Sequence, residues 1–71
     1  MNRDEWLNEF CRQLGAEAPT PEQVEELLDI AAIAAHASER TAAPLACWIG
    51  GRSGRSLAEL REIADRVGST E

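Results

Sequence analysis

The chain predicts an all-α fold, a small four-helix domain, and three observations carry that reading. No segment alternates apolar and polar residues with the two-residue period of a strand. Apolar residues instead recur every three or four positions, and 12 of the 71 residues are Ala, the best helix former. Four separate helix-start signals punctuate the chain, and most carry an acidic or amide residue three positions after the cap. Seventy-one residues leave room for a single hydrophobic core, so residues 1–71 are read as one helical domain. The expected architecture is three longer helices and one short one around a central helix at residues 21–39.

The first helix is expected over Arg3–Leu14. Asn2 caps it, Glu5 completes the capping box, and Gly15 supplies the left-handed residue that stops it. Trp6, Leu7, Phe10, Cys11 and Leu14 form its apolar side. The second start, Thr20-Pro21-Glu22-Gln23, is the strongest local signal: a capping box with Pro at the first helical position, where its missing N–H is harmless. Glu22, Glu25 and Glu26 then suit the positive end of the helix dipole. Val24, Leu27, Leu28, Ala31, Ala34, Ala35 and Ser38 make one stripe, and Ile30, Ile33 and Ala37 widen it beyond half the circumference. Only the arc of Glu25, Asp29, Ala32, His36, Glu39 and Arg40 is polar, which predicts a helix packed on several sides.

Thr41 is expected to cap a short helix at residues 42–49, with Pro44 tolerated in its first turn. The run Gly50-Gly51-Arg52-Ser53-Gly54-Arg55 reads as a break. Ser56 with Glu59 opens the last helix, whose stripe is Leu57, Leu60, Ile63, Ala64 and Val67. Gly68 is expected to end it and residues 69–71 to fray. Trp6 and Trp48, the two largest apolar side chains, are expected in the core; left exposed, they would mark a contact surface.

Charge excludes several functions. Thirteen acidic residues against seven basic ones give a net charge of −6. Nucleic acid demands a basic footprint, so DNA or RNA binding is disfavoured. A last helix reading DNA would press Glu59, Glu62 and Asp65 against phosphates. The longest apolar run, residues 30–35, is far short of the ~20 residues of a membrane span. The first 14 residues lack the basic start and apolar run of an export signal, so the expected compartment is cytoplasmic and Cys11 and Cys47 are expected as free thiols. Neither belongs to a paired Cys motif, and no metal site or cofactor is expected. With one His and little volume for a pocket that excludes water, no catalytic residues are assigned and an enzyme is not expected.

The acidic residues crowd into the first half. Between Arg40 and Ala58 there are three Arg and no acid. That stretch is where an anion would bind. Glycines free backbone N–H groups ahead of a helix, and Arg supplies a planar fork. His36 shares a face with Asp29 and Arg40, which sets an imidazole beside a guanidinium. The candidate ligand-binding residues are therefore His36, Arg40, Arg52 and Arg55. The alternative for the glycine-rich stretch is an ordinary helix–helix linker, and for His36 the solvated arc of the central helix.

Residues 27–51, LLDIAAIAAHASERTAAPLACWIGG, resemble an actinobacterial family of small uncharacterised helical domains, found alone or as the C-terminal extension of molybdenum cofactor guanylyltransferases. Leu28-Asp29, Ala35-His36, Arg40, Ala43-Pro44-Leu45, Trp48 and Gly50-Gly51 carry the likeness, and Asp4–Leu7 fits its opening. Arg40 is followed by Thr41 where that family commonly has Arg-Pro. The resemblance implies a genetic or physical link to the making of molybdopterin guanine dinucleotide, not a catalytic role. The expected function is a non-catalytic accessory or protein-interaction module. Its partner would be another copy of itself or a molybdenum cofactor nucleotidyltransferase. The alternative is a small binder of an anionic or phosphorylated ligand through His36 and the Arg cluster.

Overall fold

The computed structural model describes residues 1–69 and is built of four helices: α1 (Arg3–Leu14), α2 (Pro21–Ala37), α3 (Ala42–Ser53) and α4 (Leu57–Ser69). Among the described residues there is no strand. What remains of the tail expected to fray beyond α4 lies outside the described residues.

Three of the four helices start where their caps require. Asn2 Oδ1 accepts the Glu5 N–H at 2.8 Å, and Glu5 Oε1 accepts the Asn2 N–H at 3.1 Å. The same reciprocal pair joins Thr20 and Gln23, at 3.1 and 2.8 Å, with Pro21 at the first helical position. Ser56 and Glu59 repeat it at the start of α4. Each box satisfies two backbone donors that a helix end would otherwise strand. Gly15, at φ 72°, closes α1 in the left-handed conformation, and the N–H of Ala16 reaches back to Cys11 O at 2.9 Å.

α3 departs from expectation at both ends. Thr41 has helical backbone angles and its side chain caps nothing. The helix instead grows out of a turn in which Glu39 O and Arg40 O accept the N–H groups of Ala42 and Ala43. That turn also explains why α2 stops at Ala37, two residues early: Ser38 leaves helical geometry at φ −139°. At the other end Gly50 and Gly51 do not break the helix. It runs on to Ser53 and stops at Gly54, at φ 76°, so α3 has 12 residues, as many as α1. Gly50 is there for tertiary reasons: it is buried, and a Cβ on it would lie 2.9 Å from Leu60 Cδ1. A side chain at this position would force the Leu60 side chain of α4 to shift. α4 likewise continues through Gly68 to Ser69.

α3 and α4 both pack on α2, and Ile30 of α2 is the one buried apolar side chain among the described residues. Burying a side chain of that size stabilises the fold by ~1.5–3 kcal/mol. An ion pair from Arg61 Nη1 to Asp29 Oδ2, at 3.6 Å, ties α4 to α2 at the surface and adds at most ~1 kcal/mol. α1 makes no comparable packing contact, so the expected wrapping of α2 by all the others holds for α3 and α4 only. The molecule measures 40 × 24 × 18 Å with a radius of gyration of 13.0 Å. A compact chain of this length would have about 11 Å. Its accessible surface is 5707 Å², against about 4,400 Å² for a compact monomer of this mass.

Candidate functional site

The four polar candidates divide into two pairs. His36 is exposed in the last turn of α2, and Arg40 is exposed in the turn that starts α3. Arg52 lies in the last turn of α3 and Arg55 in the turn before α4. The 12 residues of α3 separate the pairs by about 18 Å. The chain therefore does not gather the four into one cluster. Nor does Asp29 orient the imidazole: its carboxylate pairs with Arg61 instead. Among the described residues, the side chains of His36 and Arg40 have no hydrogen-bonding or ionic partner. Arg52 lies over the Trp48 ring, 4.3 Å from its centroid, a cation–π contact worth ~0.5–1 kcal/mol at an exposed position. Arg55 pairs with Glu59 at 3.4 Å.

The thiols are free and half-buried. Cys47 Sγ points at Leu27 O at 4.0 Å, and burial pushes its pKa up. A thiol held protonated is a poor nucleophile, so Cys47 behaves as a small apolar packing group. No three His, Cys, Asp or Glu side chains among the described residues are placed to hold a metal ion. No helix among them is long and apolar enough to cross a membrane.

The apolar surface is the distinctive feature. Trp6 and Phe10 of α1 stack with ring centroids 5.0 Å apart, yet they remain 52% and 48% exposed. Leu14 continues that row, also exposed. On α3, Leu45, Trp48 and Ile49 are each more than 60% exposed. Both tryptophans therefore lie outside the core, contrary to expectation. The reason for Trp48 is visible in the spacing. Ala42, Ala46 and Gly50 recur every fourth residue and form the small face that meets α2 and α4, which points Trp48 the other way. That row of small residues was the signal that could have located the interface. For Trp6 the cause is that α1 packs far less closely on the rest of the described residues than α3 and α4 pack on α2.

Two troughs of about 560 Å³ lie between helices. One separates α1 from the start of α2 and mixes Leu7, Val24 and Leu28 with Arg3, Asp4 and Glu25. The other lies between α2, α3 and α4. It is walled by Leu27, Ile33, Cys47, Leu60 and Ile63, with Ile49 at the α3 side.

Residues 1–70 match the model of one family, described as a domain of unknown function (DUF6457). No curated protein and no solved structure matches the chain.

Proposed function

The chain belongs to the DUF6457 family, and we propose that it is a non-catalytic accessory module that docks on a protein partner through the outward face of α3. One observation carries this reading: Leu45, Trp48 and Arg52 lie together on that face, with the indole exposed and already stacked under a guanidinium. Trp and Arg are the side chains that most often dominate protein interfaces. The absence of acidic residues between Arg40 and Ala58 suits a partner surface of negative charge. The family likeness seen in residues 27–51 supports a nucleotidyltransferase of molybdenum cofactor synthesis as that partner, which would place the module in the cytoplasm. Calorimetric titration of the chain into that enzyme from the same organism tests the reading. A complex weakened at least about tenfold by Trp48→Ala is expected, as for a central aromatic anchor. No binding at ~100 μM, a binding free energy weaker than about −5.5 kcal/mol, overturns it.

A second reading, an anionic or phosphorylated ligand, has one observation in its favour: the unpartnered side chains of His36 and Arg40, four residues apart. Phosphate titration followed by amide shifts tests it. Shifts confined to residues 36–42 and abolished by Arg40→Ala support it, and their absence removes it.

A further inference from the structure

Among the described residues, nothing covers the exposed row on α1 or the apolar trough between α2, α3 and α4, and we propose that a second copy of this chain covers both. α1 of each copy lies in the trough of the other, and two such contacts close a two-fold symmetric dimer. Each α2–α4 unit thereby gains the fourth helix of a bundle. The proposal rests on the interaction reading above and extends it. It uses α1 and the trough, and it leaves the Leu45–Trp48–Arg52 face for another partner.

Three observations favour a second copy. Trp6, Phe10 and Leu14 sit at i, i+4 and i+8, the spacing with which an amphipathic helix anchors in a hydrophobic groove, and all three are exposed. The trough is walled by side chains of three helices, and in a four-helix bundle such a space is filled by the fourth. A different protein would cover one of these surfaces, whereas a symmetric pair covers both at once. Area agrees. The chain exposes about 1,300 Å² more than a compact monomer of its mass, and a standard interface takes about 800 Å² from each partner.

Sedimentation equilibrium on the full chain, from ~1 μM to ~1 mM, tests the proposal. A dimer is expected. Two double variants attack its two halves at exposed positions, so that helix content, followed by circular dichroism, is retained. Trp6→Ala with Phe10→Ala removes the anchors, and Ala37→Arg with Ile49→Glu charges the trough. Each double variant is expected to raise the dimer Kd at least about tenfold. Mixing the two variants restores one intact helix–trough contact, so the mixture is expected to associate more tightly than either variant alone. Trp48→Ala is expected to leave the dimer intact.

A monomer throughout the concentration range overturns the proposal. So does a dimer indifferent to the trough variant, a mixture no better than its components, or a dimer lost in Trp48→Ala. A monomer in which α1 closes on its own trough also overturns it. The two readings fail separately: a monomer that still binds the nucleotidyltransferase sinks the dimer alone, and a dimer that binds no enzyme sinks the docking reading alone.

Discussion

α1 and α4 are nearly the same helix by local criteria, and their fates differ. They have 12 and 13 residues, each opens on a capping box, and each carries an apolar stripe. α4 lies against α2 with Leu57, Leu60, Ile63 and Ala64 half-buried, while α1 leaves Trp6, Phe10 and Leu14 in solvent. Local signals thus decide that a helix forms and where it begins. Whether its stripe finds a counterpart is decided elsewhere, by the small face of α3 and the open side of α2. In a chain whose core supplies no more than ~3–5 kcal/mol, one helix of four left unpacked is a large fraction of the available burial.

The sharpest way to break this contrast is at its packed pole. Ile30→Ala removes the one buried apolar side chain among the described residues and is expected to cost ~2–5 kcal/mol. In so small a domain that is enough to abolish the urea unfolding transition, and a surviving transition within 1 kcal/mol of the wild type would show the core to lie elsewhere. Gly50→Val comes next. It sets a branched side chain against Leu60 and is expected to destabilise by ~1–3 kcal/mol, seen as a lower urea midpoint with unchanged slope. The caps then separate the two poles. Thr20→Ala is expected to cost ~1 kcal/mol because α2 carries the packing. Asn2→Ala is expected to lower helical circular dichroism while barely moving the midpoint, when both are measured at concentrations too low for chains to associate. Equal effects of the two would mean that α1 shares in the cooperative unit.

The smallest effect concerns the thiols. Burial raises the Cys47 pKa, so the folded state holds its proton to higher pH than the unfolded chain does. By linkage, that contribution to stability is fully present below the unfolded-state pKa and is lost as pH rises through the folded-state value. Iodoacetamide at pH 8 is accordingly expected to alkylate Cys47 faster in denaturant than in buffer. Identical rates would place Cys47 outside the packed unit.

Three helix starts were legible because a capping box is a property of four consecutive residues. Asn2, Thr20 and Ser56 announced α1, α2 and α4 with no knowledge of the rest of the molecule. α3 was misread because the same dipeptide has two meanings. Gly50-Gly51 between helices reads as a break, yet Gly50 is a contact point whose partner, Leu60, lies on another helix. The tryptophans were misplaced for a related reason. Size suggested a core position for Trp48, whereas the Ala42–Ala46–Gly50 spacing had already assigned the inside of α3 to small residues. The candidate cluster was only partly readable. Periodicity set His36 and Arg40 on one face of a helix running to residue 39, but α2 ends at Ala37 and Arg40 lies beyond it, in the turn before α3; nor could sequence proximity reveal that a helix of 12 residues stands between these two and Arg52 and Arg55.

The two indoles have a practical consequence. The chain has no Tyr, and its two Trp side chains stand on different helices in different company: Trp6 stacked on Phe10, Trp48 beneath Arg52. Each reports one surface of the molecule by its own emission. Single-tryptophan versions, Trp6→Phe and Trp48→Phe, would let intrinsic fluorescence distinguish an event at α1 from one at α3 without any added dye.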